Sequence, residues 1–221
     1  MKRSVCALVS GGLDSCVMLA DLARRHRRVY PLFIRQGLVW ESAELAHLRR
    51  FLRAARILNV QALTVLDLPV GDLYGKHWSM TGHRVPGPKT HDEAVYLPGR
   101  NLMLLSKAAV FCMLNKINTI ALGSLGHNPF PDATPKFFRD FAATAGQARD
   151  CRVGIVAPFR SQAKVEVVRR GHRLGLPIHL SFSCMAPRRG LHCGRCNKCA
   201  ERQKAFREAN VEDLTRYAAA H

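Results

Sequence analysis

The stretch SGGLDS, residues 10–15, follows directly on an apolar run at 5–9 and precedes a segment of helical composition. A Ser-Gly-Gly turn between a strand and a helix points several backbone N–H groups outward at the positive end of the helix dipole, where anions bind. Its glycines allow positive φ and close approach of the backbone, and the hydroxyls of Ser10 and Ser15 can donate to phosphate oxygens. Asp14 is a candidate magnesium ligand or helix cap. The stretch therefore predicts a phosphate-binding loop, and a plain strand-to-helix turn is the alternative.

Apolar β-type runs alternate with helical patterns along the chain, which is typical of a mostly parallel sheet covered by helices on both faces. We therefore predict a doubly wound α/β fold with a five-stranded sheet. The helix expected at 101–116 is apolar on nearly every side, so we expect it to be buried centrally. Two irregular stretches, 71–97 and 123–135, are expected to form binding loops. The predicted strands are 5–9, 29–34, 61–66, 119–122 and a fifth at 153–156, and the predicted helices are 14–25, 42–58, 101–116 and 162–174.

The composition favours one globular domain over residues 1–221, because 221 residues with 48% apolar content can bury a sizeable core. No apolar run approaches the roughly 18 to 20 residues needed to cross a bilayer. The first residues also lack the pattern of a signal peptide. We therefore expect a soluble, cytoplasmic protein with no membrane partner, and a homodimer is compatible with the sequence.

Four of the eight cysteines crowd into one short segment near the end of the sequence. The others lie singly in apolar or helical surroundings, which is not the pattern of a disulfide framework. Four thiols spaced C-x8-C-x2-C-x2-C are the ligand set of a tetrahedral zinc ion, and four protein ligands leave no open position for catalysis. We predict a structural zinc appendage within 180–207, with an iron–sulfur cluster as the rival occupant. The four ligands are Cys184, Cys193, Cys196 and Cys199, and the single cysteines are Cys6, Cys16, Cys112 and Cys151.

The formal charge of +18 is concentrated late in the sequence, where 12 Lys or Arg stand between Arg160 and Arg207 against only Glu166 and Glu201. This cluster of positive charge is compatible with binding of a polyanion. Aromatic residues do not interleave with these charges as the stacking platforms of nucleic-acid binders do. A nucleic-acid partner is accordingly left open but is not favoured.

Several motifs resemble one known family. SGGLDS resembles the SGGxDS pyrophosphate loop of the PP-loop ATP pyrophosphatases, which have the adenine nucleotide alpha hydrolase-like fold, and it differs from the P-loop and dinucleotide fingerprints. Its combination with the late C-x8-C-x2-C-x2-C segment is similar to the 7-cyano-7-deazaguanine synthase (QueC) family. LPGRN at 97–101 resembles the family's Pro-Gly-Arg-Asn helix start, and SQAKVE at 161–166 resembles its Lys-Ala-Glu helix start. Pro131-Asp132 and Arg202 also fall in the expected places, so the resemblance spans almost the whole chain.

The resemblance implies an AMP-forming ligase of queuosine biosynthesis that converts 7-carboxy-7-deazaguanine and ammonia to 7-cyano-7-deazaguanine. In that scheme the carboxylate, and then an amide intermediate, attacks the α-phosphorus of ATP, with Mg²⁺ at the phosphates and structural Zn²⁺ elsewhere. Asp14, Arg100 and Lys164 are assigned as catalytic residues. Arg100 and Lys164 would stabilise negative charge on the phosphates or on the substrate carboxylate, and Asp14 would act at the pyrophosphate and its metal ion. Asp132 is assigned to the amino-pyrimidinone edge of the substrate, since a carboxylate accepts from both of its N–H groups. The nucleotide-binding residues implied are Ser10, Gly11, Gly12, Leu13, Asp14, Ser15 and Asn101.

Two segments depart from the family pattern. RQGLVWE at 35–41 replaces a motif of Gln-Arg-His type, and PFPDAT at 129–134 lacks the tyrosine, cysteine and arginine of the usual run. ATP use is therefore better supported than substrate identity, and the alternatives are three. The first is a divergent PP-loop ATPase that adenylates another carboxylate or passes a deazaguanine acyl group to another nucleophile. The second is a tRNA-modifying PP-loop enzyme, and the third is a zinc module that binds nucleic acid without catalysis.

Overall fold

A computed structural model describes residues 3–126, 128–148 and 153–218. Its five strands form one sheet in the order β3-β2-β1-β4-β5, and every neighbouring pair is parallel. The predicted α/β class and all five strands are confirmed, although the third strand begins three residues later than predicted. The strands are β1 (Ser4–Leu8), β2 (Arg28–Arg35), β3 (Thr64–Asp67), β4 (Thr119–Leu122) and β5 (Gly154–Val156).

Eight α-helices accompany the sheet in the described ranges. Two of them, α3 and α4, are single turns inside the stretch that the sequence left irregular. Three short 3-10 turns complete the elements at Asp92–Val95, Pro131–Ala133 and Ile178–Leu180. The helices are α1 (Leu13–Arg25), α2 (Glu41–Ala55), α3 (Gly71–Tyr74), α4 (Trp78–Thr81), α5 (Arg100–Leu114), α6 (Pro135–Gln147), α7 (Lys164–Arg173) and α8 (Asn197–Ala209).

The sheet separates two apolar layers, because successive side chains of a strand point to opposite faces. On β1, Val5 and Ala7 pack in a cluster with α1, α2, α7 and α8, whereas Cys6 packs in a second cluster with α5 and α6. Both faces are therefore covered, as all-parallel sheets require. Cys151, one of the single cysteines, lies outside the described residues.

The expectation that α5 is buried centrally is wrong. Its sheet-facing side is buried, including Leu105 and Cys112. Its opposite side is open, with Leu102, Val110 and Leu114 at 46%, 56% and 67% exposure. The helix covers one face of the sheet and packs against it through one stripe only, so its all-round apolarity does not correspond to central burial.

The sequence reading also missed α6, which follows immediately on the irregular stretch 123–135. A local start signal was present: Thr134 is the N-cap and Pro135 occupies the first helical position. The Thr134 hydroxyl accepts from the amide of Phe137 at 3.1 Å. A threonine–proline pair ahead of a Phe- and Ala-rich run therefore marks this helix.

From β1 the sheet grows to one side through β2 and β3 and then to the other side through β4 and β5, so β1 lies at the switch point between β2 and β4. The helices on the two faces diverge at such a point and leave a crevice at the carboxyl ends of the strands. SGGLDS follows β1 and Gly123 follows β4. A Cβ on Gly123 would lie 3.1 Å from the amide nitrogen of Ser15, so the two loops are in contact at the mouth of the crevice.

Candidate nucleotide site and metal centre

The SGGLDS loop forms the tight turn that its glycines predict, but only Gly11 needs the left-handed region. The φ angle of Gly11 is +81°, and its Cβ position would lie 2.9 Å from the carbonyl oxygen of Glu44. Gly12 has φ −66° and ψ 160°, which is extended backbone open to any residue, so the expectation of positive φ is wrong for this glycine. Gly12 is the N-cap of α1, where the amides of the first turn have no intrahelical acceptor.

The two loop hydroxyls hold the turn in shape. The Ser15 hydroxyl donates to the carbonyl oxygen of Gly12 at 3.0 Å, and the amide of Gly12 donates to the Ser10 hydroxyl at 3.2 Å. The two hydroxyl oxygens lie 3.4 Å apart. Leu13 follows as a buried residue that anchors the first turn of α1 in the core. The loop therefore combines a fixed backbone with a helix N-terminus, the arrangement in which first-turn amides can bind phosphate.

Asp14 and Lys164 meet across the crevice although 150 residues separate them. Lys164 begins α7, and its ammonium group donates to Asp14 Oδ2 at 2.6 Å and lies 3.4 Å from Glu201 Oε1. Burial opposes the charge of Lys164, but the two carboxylates outweigh it and raise the pKa of this lysine. Lys164 is therefore held as a cation beside the SGGLDS loop.

The second oxygen of Asp14, Oδ1, is buried and has no hydrogen-bond partner among the described residues. An unpartnered buried carboxylate oxygen is costly unless something binds it. Mg²⁺ prefers such oxygen ligands beside phosphates. The donor set of Asp14 therefore fits a magnesium ion.

Two adjoining cavities open in front of the loop, with volumes of about 260 and 270 Å³. Both are lined by Ser10, Gly12, Asp14, Glu44 and Arg100, and the second continues to the cysteine segment. Among the residues that the sequence assigned, the structure brings to the first cavity Ser10, Gly12, Asp14, Ser15, Arg100, Asn101 and Asp132, and to the second Ser10, Gly12, Leu13, Asp14, Arg100, Lys164 and Cys184.

Arg100 is held by the segment that departs from the family pattern. Its Nε donates to the Oε1 of Gln36 at 3.0 Å. The turn around Gln36 is closed by Glu41, whose carboxylate accepts from the amides of Gln36 at 2.6 Å and Gly37 at 3.0 Å. The first residue of the segment, Arg35, points away and pairs with Asp67 on the surface at 2.5 Å. The segment therefore supports Arg100 from behind the cavity.

Asn101 and Asp132 contact each other directly. Asp132 Oδ2 accepts from the Asn101 amide at 2.9 Å, and Oδ1 accepts from the Asn101 side chain at 3.3 Å. Asp132 is 6% exposed and lines the first cavity. In this arrangement the carboxylate stabilises the start of α5, and its assignment to a substrate edge stays a prediction.

Glu44 is a cavity residue that the sequence reading missed. It lines both cavities from the first turn of α2. Burial of its carboxyl raises the pKa of Glu44 to about 8, against the attraction of Arg100, which lowers it. No motif marks this residue, because its role depends on a helix that the strand order brings beside the loop.

The four predicted zinc ligands converge. The Sγ atoms of Cys184, Cys193, Cys196 and Cys199 all lie within 4.8 Å of one another, and all four residues are buried. Thiolates at the usual Zn–S distance of about 2.3 Å are about 3.8 Å apart in a tetrahedron, and the sulfur pairs Cys193–Cys199 and Cys184–Cys196 are 4.0 Å apart. This donor set fits a closed tetrahedral metal site.

Backbone amides support the sulfurs. The Cys193 amide donates to Cys184 Sγ at 3.2 Å, and the Cys196 amide donates to Cys193 Sγ at 3.3 Å. Gly194 takes φ +77° in the turn between these cysteines. Such hydrogen bonds to sulfur orient thiolates and stabilise their charge when a metal is bound. The cluster is therefore arranged to hold a metal such as zinc.

The parallel sheet and the SGGLDS loop after its first strand define the class of the protein as an α/β protein with the PP-loop fold. Among solved structures with this fold, the chain is similar to a U34-tRNA thiolase from Methanococcus maripaludis, with a TM-score of 0.53 and 13% identity over 95% of this chain and 66% of that one. It is also similar to a 4-thiouridine synthetase solved with RNA and ATP, with a TM-score of 0.51 and 14% identity over 94% of this chain and 50% of that one. At these identities the likeness concerns the fold alone.

The sequence comparison narrows the class to one family. The family described as "Queuosine biosynthesis protein QueC" matches residues 4–210, and the chain belongs to it. Its relatives include a 7-cyano-7-deazaguanine synthase of Syntrophobacter fumaroxidans, 33% identical over 98% of this chain and 97% of the relative. The 7-cyano-7-deazaguanine synthase 1 of Desulfitobacterium hafniense is 32% identical over 93% of this chain and 92% of the relative. The resemblance predicted from the motifs is therefore confirmed.

Proposed function

We propose that this protein is an AMP-forming ligase that converts 7-carboxy-7-deazaguanine and ammonia to 7-cyano-7-deazaguanine at the expense of ATP. The observation that carries the proposal is the contact of Lys164 with Asp14 at the SGGLDS loop, in a chain that belongs to the QueC family over residues 4–210. A nitrile requires the loss of both carboxylate oxygens. Each loss needs activation of one oxygen, and adenylation supplies a good leaving group.

We assign the loop to the pyrophosphate that leaves ATP. The first turn of α1 begins at the loop, and Lys164 and Arg100 both line the second cavity and supply positive charge there. Stabilising charge that develops on the phosphates and fixing the attacking oxygen are the physical tasks of such a site. Asp14 would hold Mg²⁺ through its unpartnered oxygen, and the ion would neutralise phosphate charge there.

We assign the flat heterocycle to the first cavity. Tyr96 and Phe130 line it and pack on each other with ring centroids 5.0 Å apart, and an outer face of this pair would stack on a planar aromatic ligand. Asp132 remains our assignment for the amino-pyrimidinone edge and would have to exchange its contacts with Asn101 for those of the substrate. Asn101 would then be free to hydrogen-bond the nucleotide.

We assign the cysteine cluster to structural zinc, because four buried thiols leave no position for a reacting ligand. A role in sulfur transfer has little support from the remaining thiols that the structure describes. Cys16 and Cys112 are fully buried, and burial raises the pKa of the Cys16 thiol.

In the described ranges no helix has the length and apolarity to cross a membrane. We propose a cytoplasmic location for the protein.

One assay tests the reaction. The protein is mixed with Mg-ATP, ammonium and 7-carboxy-7-deazaguanine, and the products are read by chromatography and mass spectrometry. We expect AMP, pyrophosphate and the nitrile. Formation of ADP overturns the nucleotide assignment, whereas AMP formation that needs a different acceptor overturns only the substrate assignment.

Two variants separate the roles of the two sites. Asp14→Ala is expected to abolish turnover while zinc content and unfolding temperature stay close to the wild type. Cys196→Ser is expected to lose zinc and stability together, because one of four ligands is removed. Equal loss of zinc in both variants contradicts this division.

A further inference from the structure

The cysteine segment delivers two charged side chains into the nucleotide site. Lys198 lies between the ligands Cys196 and Cys199, and Glu201 follows three residues later, almost one turn further along α8. Both line the second cavity together with Lys164 and Asp14. Neither residue contributes to the cysteine cluster itself. The position of their backbone is fixed by that cluster, while their charged ends face the crevice.

Glu201 connects two ammonium groups. Its Oε1 lies 3.4 Å from Lys164 Nζ, and its Oε2 accepts from Lys198 Nζ at 3.0 Å. Lys198 also lies 3.6 Å from Asp92, which belongs to the irregular stretch after α4. The side chains of Lys164, Lys198 and Glu201 are 19%, 30% and 31% exposed, so the cluster is partly enclosed but open to a ligand.

The two ammonium groups of this cluster are paired with carboxylates. They face Asp14, Glu201 and Asp92, and the Mg²⁺ of Mg-ATP would offset the one negative charge in excess. A lysine beside a phosphate loop exchanges carboxylate partners for phosphate oxygens when an anion arrives, because ammonium–phosphate contacts are charge-assisted. Lys198 shares its carboxylate with Lys164, so an anion that reaches one ammonium group is close to the other.

The phosphate loop is also joined to this segment by its backbone. The amide of Phe182, two residues before the ligand Cys184, donates to the carbonyl oxygen of Gly11 at 2.7 Å. On the other side of the cluster, Asn197 donates through its amide to the carbonyl of Pro86 at 3.0 Å and through its side chain to that of Thr90 at 2.8 Å. The cysteine segment is therefore tied to the loop through Phe182 and to the irregular stretch through Asn197.

We propose that Lys198 is a further phosphate-binding residue for ATP and that Glu201 is a positioning residue that holds Lys164 and Lys198 in register beside the SGGLDS loop. The cysteine centre thereby completes the nucleotide site and does more than stabilise the fold. The inference rests on the proposed ATP use, but it is independent of the identity of the acceptor carboxylate. Lys198 is joined through Glu201 to Lys164, and Lys164 contacts Asp14 of the SGGLDS loop. Because this chain of contacts leads to the loop assigned to phosphate, a phosphate ligand fits Lys198 better than the substrate carboxylate does.

Equilibrium binding of Mg-ATP and of pyrophosphate tests the role of Lys198. Lys198→Gln is expected to weaken both about tenfold, the order of one lost charge-assisted contact, and Lys198→Arg is expected to restore most of the affinity. Lys204→Gln is the matched control on the same helix, because this lysine is 69% exposed and lies 3.7 Å from Glu208 away from the cavity. Lys198→Gln affinities equal to those of the control overturn the proposal. Unchanged pyrophosphate binding with a raised KM for the carboxylic acid also overturns it.

Glu201→Gln separates positioning from binding. Removal of a negative charge beside two lysines is expected to leave ATP affinity unchanged or to improve it, while kcat for AMP formation falls about tenfold because Lys164 loses its orientation. Zinc content is expected to stay at the wild-type value. A rise in the ATP dissociation constant with unchanged kcat contradicts the positioning role.

Lysine labelling of the wild-type protein gives the answer even if a variant fails to fold. An amine-reactive reagent is added with and without Mg-ATP, and modified lysines are quantified by mass spectrometry. ATP is expected to slow labelling of Lys198 and Lys164 and to leave Lys204 unchanged. Equal labelling of Lys198 in both conditions overturns the inference. Wild-type protein that does not bind ATP at all contradicts the proposed function instead.

Discussion

Replacement of Gly11 by alanine tests how the phosphate loop is built. At φ +81° an L-residue adopts the left-handed region, which costs roughly 1–2 kcal/mol. The new Cβ would also lie 2.9 Å from the carbonyl oxygen of Glu44 and 3.1 Å from Leu48 Cβ, both on α2. Overpacking against a fixed helix costs roughly 1–3 kcal/mol. We therefore expect Gly11→Ala to lower the free energy of unfolding by about 2–5 kcal/mol, since both costs come on top of each other.

Gly12→Ala is the matched control in the same loop. Its φ of −66° suits alanine, and the nearest atom to the new Cβ is Ser10 Oγ at 3.2 Å. We expect a change of less than about 1 kcal/mol in stability, which is usual where no special conformation is lost. The added methyl lies at the wall of both cavities, so ATP binding is expected to weaken by about tenfold or more, the order of 1.4 kcal/mol.

Urea unfolding and thermal melting of the two variants measure the difference. For a chain of this size, each kcal/mol shifts Tm by roughly 2–4 °C, so Gly11→Ala is expected to melt roughly 4–20 °C below the wild type. Gly12→Ala is expected to melt with the wild type. A Gly11→Ala protein as stable as the wild type, or a reversal of the two effects, refutes the packing of this loop against α2.

Three further predictions concern groups around the site. Because the folded-state pKa of Glu44 is raised to about 8 from 4.5, the folded protein holds more protons between these values and stability falls as pH rises through this window. The slope is at most about 1.4 kcal/mol per pH unit. Urea titrations from about pH 4 to about pH 9 span this window and are expected to show that Glu44→Gln removes the decline in stability. Stability curves of wild type and variant that run parallel over this pH range contradict the prediction. Arg202 is 1% exposed and donates to Ile178 O, Ser181 Oγ and Thr215 Oγ1 at 2.8 to 3.0 Å, so Arg202→Met is expected to cost about 3–5 kcal/mol in urea unfolding. A cost below about 1 kcal/mol contradicts a stabilising role of these hydrogen bonds, since such values are typical of sites without buried partners. Removal of zinc by a chelator is expected to weaken Mg-ATP binding, because the cysteine cluster fixes the backbone that carries Lys198 and Glu201. Unchanged affinity of the metal-free protein contradicts this link between the cysteine cluster and the nucleotide site.

Local signals were enough to predict most of the fold. Strands such as β1 and β2 are short apolar runs bounded by turn residues, and the loop at 10–15 combines a strand end with a helix start, so periodicity and turn chemistry identify them without tertiary information. The order of strands in the sheet and the sidedness of α5 are decided by packing. An all-apolar helix covers a sheet with one stripe whatever the rest of its surface is, which is why the expectation of central burial failed at Val110 and Leu114.

The candidate site shows the same division. Cys184 and its three partners are recognisable because their spacing is that of a metal site, and the folded chain brings the four thiols together. Glu44 and Glu201 carry no motif, because each reaches the cavity from a helix that only the folded chain brings there. Gln36 lies behind the cavity and acts on it only through its hydrogen bond with Arg100. The departure at 35–41 would not have been recognised as support for Arg100 without the hydrogen bond from Arg100 to Gln36.

The transfer of oxygen from substrate to AMP tests the central claim most directly. 7-Carboxy-7-deazaguanine labelled with ¹⁸O in both carboxylate oxygens is converted with unlabelled Mg-ATP and ammonium, and all products are analysed by mass spectrometry. If the carboxylate and then the amide attack the α-phosphorus, each nitrile is accompanied by two AMP molecules that carry one ¹⁸O each, and pyrophosphate stays unlabelled. Label in inorganic phosphate with release of ADP, or AMP without ¹⁸O, contradicts adenylation of the substrate at the SGGLDS loop.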